Sequence, residues 1–473
     1  MGVPVRQRSI PVGILMLLSM LMSSYGRGAA DPRLKSSLRR PEQNGWIFVH
    51  LEGKPAEIGF QHGYHLAPEI EDAQKVVALE LTRDTKRDWQ FYRDAAQKIL
   101  WPRIEAEYRG ELNGIAEGLK ARGVKLDLWD VVATNAWLEF PYYSNWLAKQ
   151  KAATDNLHTA PIAERCSAFV ATGSFTRDGG IVIGHNSWTN YLDGERWNII
   201  FDIVPEKGHR IIMDGFPGLI HSADDFGINA AGMMITETTI TGFSGWDPNG
   251  IAEFVRARKA MQYSTSIDDF VRIMREGNNG GYANNWLVAD RKTNEIASLE
   301  LGLKNVTLRR SRNGYFLGSN CPVNRNLTRE ETNFDPNDVS LSANARRIRW
   351  LQLMAEYKGR IDVAAGQKFL SDHFDTFAKK TDPNERSLCG HVDLSPRGMR
   401  GWQEPYAAAG AVQAKVSDSA MAEGMSLTAS MGHSCGIHFK AADYLAKHPE
   451  SEWQKPFLRD MDSHPWTEFT ILR

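Results

Sequence analysis

The sequence predicts a layered α+β fold. Three observations predict it: apolar residues at helical spacing through the first third, a block of short strand-like runs opening at Cys166, and helical stretches between and after those runs. From Gly45 to about Phe140 the pattern is largely helical. Ile70, Ala73, Val77 and Leu81 lie near one face, and Leu112, Ile115, Ala116 and Leu119 repeat at i, i+3, i+4 and i+7. Residues 141–165 lose that pattern, and the polar stretch Lys149 to Asn156 predicts an exposed linker. The period then switches. Cys166 to Phe175 is short and apolar, Asp178-Gly179 within Thr176 to Gly180 signals a hairpin turn, and Gly180 to Trp188 resumes as a strand. Trp197–Val204, Arg210–Met213, Gly232–Thr239 and a second block from Trp286 to Phe316 are also strand-like. Helical stretches are expected at Ile251–Met261, Ile267–Arg275 and Asn344–Tyr357.

The 473 residues are 42% hydrophobic and 24% charged, ample for a large buried core. Length alone suggests two to three domains, or one large α/β domain. A formal net charge of −1 gives no reason to expect a nucleic-acid partner. Residues 1–30 read as a signal peptide: Arg6 and Arg8 precede an apolar run from Pro11 to Met22, too short to span a bilayer, and Gly28-Ala29-Ala30 offers a cleavage site. The mature protein is therefore expected to be secreted or periplasmic, without stable membrane insertion. Cys166, Cys321, Cys389 and Cys435 are widely spaced with no CxxC, which argues against zinc, and no cofactor motif is present. Cys389-Gly390-His391 and Gly432-His433-Ser434-Cys435 leave open a disulfide, two buried thiols or a metal site.

Cys166 opens a strand directly after the linker. Buried, inert cysteine is the commoner case. A cut at Arg165–Cys166, however, would give the thiol its own α-amine as a base, the N-terminal version of an activated nucleophile.

Arg165-Cys166-Ser167-Ala168, followed across one hairpin by His185-Asn186-Ser187-Trp188, resembles the phospholipase B-like proteins, which are N-terminal nucleophile hydrolases. Asp224-Asp225-Phe226-Gly227 leading into Glu237-Thr238-Thr239, and Gly281 to Trp286 ending in Asp290, match the same pattern. The helical half, with Glu111 to Gly118, Asn135 and Glu139, is similar to the wider cysteine acyltransferase group that includes penicillin-forming acyltransferases. The resemblance covers about Gly45 to Arg349. It implies a four-layer αββα sandwich with self-cleavage before Cys166 and a catalytic domain over 166–473; with 1–30 a signal peptide, residues 31–165 are left as a helical chain, expected to stay bound after cleavage because its apolar helix faces need a partner. Gly184-His185-Asn186-Ser187 departs from the Gly-Arg-Asn-x-Asp of bile-salt hydrolases and penicillin acyltransferases, which weakens any claim to β-lactam substrates.

The resemblance implies Cys166, His185, Thr238, Asn284 and Asn285 as catalytic candidates. Asn284 is favoured by register as oxyanion donor, since a carboxamide N–H suits developing negative charge. Asn186, Ser187, Trp188 and Arg346 are positioning candidates. Each has a plainer reading: core histidine for His185, β-former for Thr238, turn residues for the asparagines, pocket wall for Trp188, solvated charge for Arg346. The function expected is a self-processing acyl hydrolase acting on a small acylated molecule. An acyltransferase and a non-catalytic lipid- or ligand-binding relative are the alternatives.

Overall fold

The computed structural model describes residues 1–2, 31–151, 166–223, 226–399 and 404–472. The expected signal peptide, Arg165 and the Asp224-Asp225 pair lie outside them. Nine strands form one sheet in the order β1-β2-β5-β6-β7-β8-β9-β10-β11: Leu38–Arg39, Ile47–Gly53, Ile199–Pro205, Ile211–Gly215, Gly227–Asn229, Met233–Thr239, Asn284–Asp290, Glu295–Leu301 and Val306–Ser311. Six form a second sheet in the order β12-β3-β4-β15-β16-β17: Gly314–Gly318, Ser167–Thr172, Val182–Asn190, Ala409–Asp418, Ser426–Met431 and Thr467–Thr470. A small hairpin, β13 and β14, pairs Phe374–Asp375 with Lys380–Thr381.

Three apolar cores define the layers. Phe48, Ile200 and Leu287 of the large sheet meet Val170, Ile183 and Leu427 of the small one. Side chains of alternate residues point to opposite faces of a strand. The other face of the large sheet, with Val49, Phe201 and Val288, packs on helices through Ile70, Leu112 and Phe254. The outer face of the small sheet, with Phe169, Val182 and Val416, packs on Trp350, Leu353 and Phe369 of two further helices. Helix, sheet, sheet, helix is the αββα order that the resemblance implied.

The helical periodicities hold up: Ile70, Ala73, Val77 and Leu81 are buried in the helix Ala67–Thr85, and Leu112, Ile115 and Leu119 in Ala106–Ala121. That second helix crosses Pro55–His65 at glycines. A Cβ on Gly114 would stand 2.3 Å from the Ala56 carbonyl oxygen, and one on Gly59 1.9 Å from that of Glu111.

Three expectations need correction. The stretch read as helical from Gly45 also contains β2, which pairs in parallel with β5 from Ile47↔Ile199 to Gly53↔Pro205. A short apolar run buried on both sides carries no period that separates strand from helix. Residues 141–151, read as having lost the helical pattern with the last three in the linker, belong to the helix Phe140–Lys151; the rest of the linker lies outside the described residues. Strands β15 to β17 were not anticipated, although β15 sits between β4 and β16 near the centre of the small sheet.

Candidate active site

Cys166 immediately precedes β3. Ala168 and Val170 face the inter-sheet core, so by period two Cys166 stands on that side at the strand's mouth, 2% exposed. Its φ is +83°, a left-handed conformation that a residue with a Cβ adopts only under constraint. Arg346 supplies part of that constraint. This fully buried guanidinium donates from Nη1 to the Cys166 carbonyl (2.5 Å) and the Ser167 hydroxyl (3.0 Å), and from Nη2 to Asn320 Oδ1 (2.8 Å). Ser342 Oγ accepts from its Nε at 3.0 Å, and the guanidinium carbon lies 4.4 Å from the centre of the Trp188 ring. Placed in the first turns of the helix Ser342–Glu356, Arg346 is a buried anchor and not a solvated charge.

On β4, paired antiparallel with β3, His185 is opposite Ala168 and Asn186 opposite Ser167. His185 and Ser187 share the inner face with Ile183. The Cys166 sulfur, a His185 ring nitrogen and a Glu237 carboxylate oxygen lie within 4.8 Å of one another, all three residues buried. A thiol, an imidazole and a carboxylate this close together are the groups from which a proton relay can be built, the carboxylate orienting the base. The same three donor types could also share a cation. Glu237 is further fixed by the Tyr282 hydroxyl, which donates to Oε1 at 3.1 Å.

Strand parity sorts the remaining candidates. By parity Glu237 and Asn284 stand on the helix-facing side of the large sheet with Ile235 and Trp286, yet the Glu237 carboxylate still comes within 4.8 Å of the Cys166 sulfur at the strand's mouth. Thr238 and Asn285, paired opposite each other, stand on the side of the small sheet. Asn284 lies two places along β9 from Trp286, the partner of Glu237, a diagonal spacing of about 7–8 Å. Both polar atoms of the Asn284 side chain are buried with no partner among the described residues. Asn285 is committed elsewhere: its Oδ1 accepts from Ser298 Oγ at 2.8 Å and its Nδ2 donates to the Leu317 carbonyl at 3.4 Å, bridging the sheets. Thr238 packs against Gly318, where any side chain would meet its methyl at 2.5 Å.

Asn186 and Trp188 point to the outer face. Asn186 Nδ2 donates to the Leu370 and Leu388 carbonyls, each at 2.9 Å. Trp188 Nε1 donates to Leu388 at 3.3 Å, and its ring fills the space over Gly390 so closely that a Cβ there would stand 2.0 Å away. They brace β4 from behind, and Trp188 also backs Arg346.

Neither composition nor motif singles out the ion pair beside Ser187. Lys415 Nζ donates to Ser187 Oγ (2.7 Å), Asp214 Oδ2 (3.0 Å) and Gln413 Oε1 (2.8 Å), and Lys415 and Asp214 are both 0% exposed. Lys415 is in register with His185, and Asp214 reaches across from the large sheet. The available signal is a lysine inside the apolar run Ala409 to Val416. Glu237 is visible within Glu237-Thr238-Thr239, but nothing local sets it above its neighbour Thr238. Beside Asn320, a cleft of about 760 Å³ is walled by Cys321 and Asn344 and lined also by Arg325, Arg329 and Arg347.

Fold and site together define a two-sheet, helix-flanked protein with a buried cysteine at the mouth of β3, an inner strand next to the edge of the small sheet. The phospholipase B family model matches residues 85–326, just over half of the chain, and the chain belongs to that family. An uncharacterized protein of Archaeoglobus fulgidus is 25% identical over 306 residues, 59% of this chain and 48% of its own. Putative phospholipase B-like 2 of Homo sapiens is 29% identical over 146 residues, 27% of this chain and 24% of its own. Phospholipase B-like protein C of Dictyostelium discoideum is 23% identical over 201 residues, 39% of this chain and 35% of its own. Each match spans less than half of the relative's length. A mutant of conjugated bile acid hydrolase from Clostridium perfringens aligns with 56% of this chain and 89% of its own at 11% identity, with a TM-score of 0.30. Among the described residues no helix is long and apolar enough to cross a membrane.

Proposed function

We propose that the chain is an acyl hydrolase with Cys166 as nucleophile, activated by scission of its own Arg165–Cys166 bond. The observation that carries this reading is the buried Cys166 sulfur grouped with His185 and Glu237 on a residue held at φ +83°. Strain of about 1–3 kcal/mol at such a residue raises the ground state of the bond to be cut. In processing, His185 takes the thiol proton and the sulfur attacks the Arg165 carbonyl carbon. The C–N bond breaks as the amine gains a proton, and water hydrolyses the thioester. In turnover, the thiolate attacks a substrate ester or amide, Asn284 donates to the developing oxyanion, and the α-amine protonates the leaving group. Water then releases the acid and restores the thiol. The ion pair at Ser187 fixes the inner face of β4 against which the new amine lies. The three arginines of the neighbouring cleft suit a substrate with an anionic group. Secretion or periplasmic export, with the 31–165 chain retained, belongs to the same proposal.

The Cys166–His185–Glu237 grouping also favours a second reading, a thiol hydrolase that works without scission. Intact mass and N-terminal sequencing separate the two. Self-processing gives a chain beginning at Cys166 that disappears in Cys166→Ala. A single uncut chain hydrolysing fluorogenic acyl esters or amides establishes the second reading, and an uncut, inactive chain removes both.

A further inference from the structure

Far along the chain from Cys166, a second group of cysteines and histidines stands on the outer side of the small sheet, and the catalytic proposal does not use it. His373, Cys389, His391 and Cys435 each place one donor atom within 4.8 Å of all the others. From His391 Nε2 the separations are 3.3 Å to His373 Nε2, 3.6 Å to the Cys389 sulfur and 3.5 Å to the Cys435 sulfur. Tetrahedral zinc, with Zn–S about 2.3 Å and Zn–N about 2.0–2.1 Å, has edges of about 3.4 Å between nitrogens and about 3.6 Å between sulfur and nitrogen. The three separations from His391 match those edges, and the remaining pairs lie within 4.8 Å. None of the four cysteines is bridged.

We infer that His373, Cys389, His391 and Cys435 form a structural zinc site. Four protein donors close the coordination sphere, leaving no position for substrate. Cys389 and His391 are 0% exposed, whereas His373 and Cys435 are partly exposed and give the ion a path in. The donors come from three loops: one after the helix Val363–Leu370, one before β15 and one after β16. Those loops already share hydrogen bonds. Cys389 N–H donates to the Asp372 carbonyl at 3.1 Å, Ser371 Oγ to the Ser434 carbonyl at 3.0 Å, and Ser434 Oγ to the Leu370 carbonyl at 2.9 Å. The Leu370 and Leu388 carbonyls are the acceptors that brace Asn186 and Trp188. Zinc would thus clamp the wall behind β4, the strand carrying His185. Spacing along the chain conceals this group because only Cys389 and His391 are close in sequence.

The test is metal content of the purified full chain, treated with chelator and then titrated with zinc ion alone, followed by native mass spectrometry and X-ray absorption. The expected result is one zinc per chain with two sulfur and two nitrogen scatterers, lost in Cys435→Ala and in His373→Ala, kept in Cys321→Ala and Cys166→Ala, with a higher melting temperature on reloading. His373→Ala, at a partly exposed position, serves if Cys435→Ala fails to fold. The proposal is overturned by any one of three outcomes: no zinc taken up, a Cys389–Cys435 disulfide in the peptide map, or zinc lost in Cys166→Ala and retained in both cluster variants. The last would place the ion at Cys166, His185 and Glu237.

Discussion

Replacing Lys415 with methionine removes the cation that donates to Asp214, while nearly preserving the stem's volume. The magnitude follows from burial. Both groups are wholly enclosed and 3.0 Å apart, and Asp214 keeps the neutral donors Ser222 Oγ (3.0 Å) and Gln413 Nε2 (3.1 Å). A carboxylate left in such a place without its cation destabilises a fold by about 3–5 kcal/mol. That shifts the unfolding equilibrium by roughly 100- to 5,000-fold. Replacing both partners removes the charge problem, so Lys415→Met/Asp214→Asn should recover at least half of the loss and give a coupling energy above about 1.5 kcal/mol. The assay is urea unfolding in a Cys166→Ala background, which holds every variant as one covalent chain. A Lys415→Met protein within about 1 kcal/mol of its parent, or a double variant no more stable than the single one, would refute this account of the ion pair.

Asn284→Ala should lower kcat by about 100- to 1,000-fold with little change in stability, whereas Asn285→Ala should act chiefly on stability by breaking the Ser298 and Leu317 contacts; steady-state kinetics beside thermal melts distinguish them. Gly114→Ala should destabilise by about 1–3 kcal/mol or more, because the added methyl meets backbone of the crossing helix and not a movable side chain; unchanged melting would contradict that packing. His62 is buried and accepts the Gly218 N–H at 3.1 Å, and burial lowers its pKa to about 3. Between about pH 6.5 and 3 the unfolded chain takes up a proton that the folded one refuses, so His62 removes stability as pH falls, by up to about 1.4 kcal/mol per unit. His62→Gln should flatten that acid limb, and parallel limbs in the two proteins would count against the assignment.

Much of this is legible in the sequence because local physics decides it. The Asp178-Gly179 turn and the alternation of Ile183 with His185 and Ser187 place β4 against β3, and they put the histidine beside the cysteine. Apolar spacing at Ile70 to Leu81 and Leu112 to Leu119 identifies the helical layer. What escapes depends on distant pairing. Strand β2 is absorbed into a helical reading because its partner, β5, lies far along the chain, beyond the helical layer and the linker. Lys415 and Asp214 meet only when the two sheets stack, and no spacing along the chain announces that. The same holds for Glu237, whose proximity to Cys166 is a property of the sandwich and not of either strand.

The parallel pairing of β2 with β5 bears on how this protein can be handled. Strand β2 lies inside the large sheet, with β1 on one side and β5 on the other, and it sends Phe48 into one core and Val49 into another. A break anywhere between Lys151 and Cys166 therefore leaves both pieces contributing to a single sheet. Dilution will not separate them; only denaturation will. Conversely, two plasmids encoding residues 31–151 and 166–473 should together assemble the sandwich by fragment complementation. The second piece expressed alone should be insoluble, since it would expose the bare edge of β5 and the apolar face that the first piece covers.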